Sequence, residues 1–246
     1  AVEDPQYGAA LAALSLEDGV DDRSILVFFL AIERERGASS RWAPYVNSLP
    51  AEVPSPLGWS DAELRHLAGT RLEGAVKIHR EALRQQSEVY VPSLLARLQK
   101  QLDLLEASPS DDDVETRRSA AADTLEVAKR ALTPERVAWS RSCVWSRAFS
   151  LYIFGIKTTA LVPLGDMLDH SPRAHVEWRT DDAAGTFSII SNQTIPVGNT
   201  VYNNYGAKSN EELLLGYGFV LEPNTADTLH VQLAANTISS DSDKTH

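Results

Sequence analysis

Two patterns of apolar and polar positions divide the chain. From about residue 21 to 149 apolar residues recur at helical spacing, and after residue 150 they fall in short runs broken by turn residues. Ile25 to Ile32 is apolar on every side, follows Asp21-Asp22, and ends in Glu33-Arg34-Glu35-Arg36-Gly37. An acidic start, a charged last turn and a glycine stop predict a buried helix over 23–36. Trp42, Pro44, Tyr45, Leu49 and Pro50 then read as an aromatic, proline-rich connector, extended by Pro54, Pro56 and Gly58. Ser60 with Glu63 is a capping box that opens a short helix. From Thr70, the residues Leu72, Val76, Leu83, Tyr90, Leu94, Leu98, Leu102 and Leu105 keep near-helical spacing. Pro92, which lacks an N–H, must break or kink that helix. Residues 107–113 form a loop by composition, 114–132 are helical again, and Thr133-Pro134 caps a helix running to about Phe149.

Beyond residue 150 the expected strands are 151–156, 160–162, 175–179, 186–190, 201–203 and 229–233. Asp181-Asp182-Ala183-Ala184-Gly185 is a hairpin connection, and Ser209 with Glu212 is a second capping box. The first 20 residues carry only a weak apolar pattern at Leu11, Leu14 and Leu16. The fold class is therefore α+β: a mainly helical region over 21–149, a β-rich region over 150–233, and a polar tail over 234–246.

Composition adds limits. The chain has 246 residues, 43% hydrophobic and 23% charged, enough to bury a sizeable core. Its net charge of −11 opposes non-specific binding to nucleic-acid phosphates and suits a basic protein partner. Cys143 is the single cysteine, so no disulfide framework exists within the chain, and a reduced intracellular compartment is expected. The longest apolar run, residues 25–32, is too short to span a bilayer, and no membrane association is expected.

Chemistry concentrates in 159–233. Asp166, Asp169 and His170 have the residue types of metal ligands, but no second cluster supports them and no metal is expected. No nucleophile elbow or phosphate-cradling glycine loop is present. The order Pro163, Asp166, His170, Gly198, Tyr205-Gly206, Lys208-Ser209-Asn210, Glu212-Leu213, Tyr217-Gly218-Phe219 and Asn224 resembles the C-terminal half of a SET-domain protein methyltransferase. The resemblance is to the group that contains the Rubisco large-subunit and ribosomal-protein lysine methyltransferases and the actin histidine methyltransferase. It extends to Ser40-Arg41-Trp42 with Pro44-Tyr45, to Ser48-Leu49-Pro50, to Trp59-Ser60, and to Ser146-Arg147-Ala148-Phe149, covering roughly residues 20–233.

That resemblance implies small β-sheets closed by a C-terminal pseudoknot, with 21–149 as the large helical insert of this group. It implies S-adenosylmethionine as methyl donor, and as partner a protein substrate methylated on lysine, a basic or ribosomal protein being compatible. It assigns Tyr205 as catalytic residue at the methyl, and Arg147, Asp169, His170 and Tyr205 to the cofactor. Asp166 and Tyr217 fall to the substrate lysine channel. Asp169 replaces the family's Asn and, acceptor-only when ionised, can pair with the cofactor's ammonium. Asn199 replaces a Glu. No Gly-x-Gly-Leu stretch occurs in 1–20, so these residues are expected to be a remnant linking from the family's N-terminal lobe. The family's helical C-terminal domain is likewise expected to lie outside the chain. Cytoplasm or nucleus is the expected compartment for such a protein, with a plastid as the alternative. Two alternatives stay open: a catalytically silent SET-fold binding subunit, and a histidine methyltransferase, which Tyr217 before Gly218-Phe219 disfavours.

Overall fold

A computed structural model describes residues 1–109 and 111–229. Helix α1 (Gly8–Asp18) precedes α2 (Asp22–Arg36), whose N-cap Asp21 accepts from the N–H groups of Arg23 and Ser24. Helix α2 is the central rod. Ile25, Val27, Phe28, Leu30, Ala31 and Ile32 are all buried, as the all-round apolar run requires. In α1, Leu11 and Leu14 are wholly buried while Leu16 is 86% exposed, which is why the apolar pattern there is weak. Buried Glu33 near the end of α2 accepts from the hydroxyls of Tyr7 and Ser40 and from Arg36, so its charge is satisfied.

The aromatic connector holds a one-turn helix, α3 (Ala43–Val46), with Pro44 in its first turn. Helix α4 (Asp61–Leu64) carries the expected capping box from Ser60 and Glu63. Helix α5 (Arg71–Gln85) passes through a π-turn, Gln86–Tyr90, into α6 (Val91–Glu106). Pro92 therefore does not break the helix. The π-turn lies immediately upstream, with Val91 N–H reaching Gln86 O, and the extra residue takes up the misfit of a ring that cannot donate. Helix α7 (Asp112–Ala131) is capped by Asp111, and α8 (Pro134–Arg147) by Thr133. Helices α2, α7 and α8 pack together around the main core.

The β-region is small. Strands β1 (Phe149–Ile153) and β2 (Ile156–Ala160) pair antiparallel, as do β3 (Val176–Asp181) and β4 (Thr186–Ser191). The run expected as one strand over 151–156 is instead a hairpin. Phe154 and Gly155 both have positive φ, 49° and 75°, forming a two-residue turn in the middle of the run. Residues 201–203 form no strand; Asn203 makes a single parallel bridge to His170. Helix α9 (Asn210–Tyr217) starts at the Ser209–Glu212 capping box and packs on α8 and α5. The strand expected over 229–233 and the tail 234–246 lie, beyond Leu229, outside the described residues. The architecture is α+β, with small antiparallel sheets beside a large helical region. No helix among the described residues is long and apolar enough to cross a membrane.

Candidate active site

The site is built where two chain segments cross. Asn203 N–H donates to Asp169 O at 2.8 Å, and Ser171 N–H donates to Asn203 O at 2.9 Å. Asn203 is 1% exposed, and its side-chain Oδ1 accepts from Trp178 Nε1 at 2.9 Å and from Asn204 N–H at 2.8 Å. One residue thus ties 169–171, strand β3 and the run to Tyr205 together. Asn204 Nδ2 adds a bond to Ala174 O.

The crossing fixes an aromatic column. Tyr205 N–H donates to His170 Nδ1 at 3.1 Å, and the two rings stack with centroids 5.0 Å apart. Tyr217 stacks on Tyr205 in turn, with centroids 4.8 Å apart at an interplanar angle of 22°, and Phe219 meets Tyr217 in a tilted contact. Tyr205 O–H donates to Leu168 O at 2.8 Å. Burial, with a smaller contribution from Asp169, pushes its phenol up to about 12, so it is neutral at physiological pH. Burial also raises Tyr217 and lowers His170. His170 is therefore a neutral imidazole whose Nδ1 accepts and whose Nε2 carries the proton.

Beside the column lies an ion pair of buried Asp166 with half-buried Arg147. The Asp166 carboxylate has no exposed side-chain surface; Oδ2 accepts from Tyr45 O–H at 2.7 Å, and Oδ1 has no partner. Arg147 Nη1 donates to Asp166 O at 3.0 Å and stands 3.6 Å from Oδ2. Burial raises the Asp166 carboxyl, opposed by Tyr45 and Arg147. Cys143 is wholly buried nearby, and desolvation pushes its thiol up to about 12, which removes it as a nucleophile.

Arg147, Asp166, Asp169, Tyr205, Tyr217 and Phe219 line one cleft of about 210 Å³, walled opposite by Pro50, Glu52, Val53 and Pro54. Five of the six residues singled out in the sequence therefore meet there. His170 does not line it but supports Tyr205 from behind. Asp166, expected to face a substrate, keeps its carboxylate turned into the protein against Tyr45. Tyr45, Asn203 and Phe219 were not anticipated as site residues. The only sequence signal for Tyr45 was its place in the Trp-x-Pro-Tyr segment, and for Asn203 its place before Tyr205-Gly206.

The segment after α9 is held by amides. Asn210 Oδ1 accepts from Leu221 N–H and Asn224 Nδ2, and Asn224 Nδ2 also donates to Lys208 O. Gly218 has φ 81°, and a Cβ there would stand 2.9 Å from Pro54 backbone atoms, so the glycine lets the cleft wall approach Tyr217 and Phe219. A cleft lined by aromatic side chains, one guanidinium and the carboxyl-bearing residues Asp169 and Glu52, but no activated nucleophile, is suited to holding a cationic or zwitterionic ligand in place.

No protein-family model matches the chain. The chain is 30% identical over 213 residues to the ribosomal lysine N-methyltransferase set10 of Schizosaccharomyces pombe, an alignment covering 85% of this chain and 33% of that protein. It is 29% identical to the chloroplastic ribulose-1,5-bisphosphate carboxylase/oxygenase large subunit N-methyltransferase of Pisum sativum, over 81% of this chain and 37% of that protein. It is 26% identical to the actin-histidine N-methyltransferase of Danio rerio, over 86% of this chain and 32% of that protein. Among solved structures, the SET domain of LSMT bound to lysine and AdoHcy superposes with a TM-score of 0.57 at 24% identity, over 86% of this chain and 45% of that one. The chain thus spans about a third of the length of the curated relatives it matches. The chain is thus a sequence homologue of the ribosomal-protein lysine, Rubisco large-subunit and actin-histidine methyltransferases, and it shares the fold of the SET domain of LSMT.

Proposed function

We propose that the protein containing this chain is an S-adenosylmethionine-dependent protein-lysine N-methyltransferase. The observation that carries the reading is the Tyr205–Tyr217 stack lining one cleft with Arg147 and Asp169. The donor set fits the cofactor. Arg147 offers a guanidinium for its carboxylate and Asp169 a carboxylate for its ammonium, with the tyrosine side chains lining the space between. When bound, it supplies a methyl group whose bonding pair stays on sulfur.

The chain's own residues account for the remaining requirements. Tyr205 commits its proton to Leu168 O, which leaves its lone pairs as acceptors for an amine N–H. Held neutral by burial, it orients the amine and does not act as a base. Tyr217, stacked beside it, lines the same cleft and narrows the space left for a lysine side chain. The proton that the amine sheds goes to water. Asp166 serves from behind the cleft by holding Arg147. Positioning of this kind supplies most of the barrier reduction in a direct group transfer. A basic protein is the partner class that best suits a chain of net charge −11.

Relatives of known name act on lysine and on histidine, and Tyr217 favours the lysine reading because its hydroxyl and ring complete a cleft around a slender amine. Calorimetric titration of the full-length protein with S-adenosylhomocysteine tests the assignment. Saturable binding that weakens in Arg147→Ala is expected, and the absence of binding would leave a silent SET-fold subunit as the better reading.

A further inference from the structure

Tyr45 sits on α3, in the helical region, 121 residues before the acidic group it touches. It is 8% exposed, and its hydroxyl has one partner in the structure, Asp166 Oδ2 at 2.7 Å. We propose that Tyr45 is a positioning residue of the transfer site, fixing the Asp166 carboxylate and, through it, the guanidinium of Arg147. The inference extends the methyl-transfer reading, but its first two readouts below do not depend on it.

The geometry leaves Asp166 few other supports. Its side chain has no exposure, Oδ1 is unpartnered, and Oδ2 shares Tyr45 O–H with the more distant Arg147 Nη1 at 3.6 Å. An ionised carboxylate so enclosed needs donors, and Tyr45 is the shortest. The titratable groups facing Asp166 are Tyr45 from α3, Cys143 and Arg147 from α8, and Tyr205 beyond the crossing. The Cys143 thiol and the Tyr205 phenol are neutral, so Arg147 is the single cation and Tyr45 the single hydroxyl donor in direct contact among the described residues. Arg147 in turn is gripped twice by the same residue, at its backbone carbonyl and its carboxylate. Loss of the tyrosine hydroxyl therefore weakens the ionised form of Asp166 and loosens one of the two grips on Arg147.

Three readouts test this in the full-length protein. In Tyr45→Phe, the Asp166 side-chain carboxyl carbon, followed by NMR, should titrate at higher pH than in the wild type. The Arg147 Nε–H resonance should shift in the same variant. Affinity for S-adenosylhomocysteine should fall, by at most about the tenfold that one hydrogen bond to a charged group is worth, because the lost bond lies within the protein and acts on the ligand only through Arg147. The double variant with Asp166→Asn should then bind no more weakly than Asp166→Asn alone, because both changes remove one linkage. If Tyr45→Phe does not fold, the wild type suffices, since the Tyr45 Cζ, Asp166 carboxyl and Arg147 Nε–H signals should share one titration midpoint. An unchanged Asp166 titration and an unmoved Arg147 resonance in Tyr45→Phe, additive binding losses, or separate midpoints in the wild type would each overturn the proposal. Wild-type protein that binds no S-adenosylhomocysteine, yet shows the linked NMR shifts, would reject the methyl-transfer reading and leave the Tyr45–Asp166–Arg147 linkage standing.

Discussion

Asn203 is where a single substitution should disturb the site most. Its side-chain oxygen accepts from Trp178 Nε1 and Asn204 N–H, while its backbone bridges Asp169 and Ser171. In Asn203→Ala the backbone bonds survive and both side-chain bonds go. Each lost bond costs roughly 1 kcal/mol net, and the total is about 2 kcal/mol because Trp178 Nε1 and Asn204 N–H lie in part-buried positions that water can partly repair. For a chain of this size, that lowers the melting temperature by about 4–8 °C. Differential scanning calorimetry measures it directly. The tie between 169–171 and 203–205 also sets the His170–Tyr205 stack, so S-adenosylhomocysteine affinity should fall together with stability. A melting temperature within about 1 °C of wild type, with unchanged affinity, would refute the view that Asn203 is the node of the crossing.

Two further substitutions probe the walls of the site. Gly218→Ala forces a Cβ within 2.9 Å of Pro54 at φ 81°, so it should destabilise by about 2 kcal/mol or more and push the 50–54 wall outward; an unaltered melting curve would contradict that packing. The His170 imidazole is held below its ordinary value, chiefly by burial, and its Nδ1 must stay unprotonated to accept from Tyr205. Because the folded value lies below the unfolded one, the stability that neutral His170 contributes is present above about pH 6.5 and is lost as pH falls through the folded value. Thermal melts between about pH 5 and 8 should therefore slope more steeply for wild type than for His170→Gln, and parallel slopes would refute it.

Much of this was legible from residue order, for identifiable reasons. Helix α2 was legible because its apolar residues leave no polar face, and its caps are local chemistry at Asp21 and Gly37. The capping boxes at Ser60 and Ser209 were legible for the same reason: partners three residues apart are written in the sequence. Pro92 marked the interruption of the α-helix but not its form, because periodicity does not encode the π-turn just upstream. The β1–β2 hairpin was hidden because Phe154-Gly155 lacks the usual Asn or Asp at the first turn position and sits inside an apolar run. The members of the cleft were visible through their resemblance to the SET-domain pattern. The Tyr45–Asp166 bond and the Asn203 node were not, since each joins segments that only the tertiary fold brings together.

The most direct test of the account is methyl transfer itself. The full-length protein would be incubated with isotopically labelled S-adenosylmethionine and a pool of basic proteins, and labelled side chains would be identified by tandem mass spectrometry. Label on lysine ε-nitrogen, lost by at least about 100-fold in Tyr205→Phe while the melting temperature stays within about 4 °C of wild type, is the predicted result. Label on histidine, or full activity in Tyr205→Phe, would contradict it.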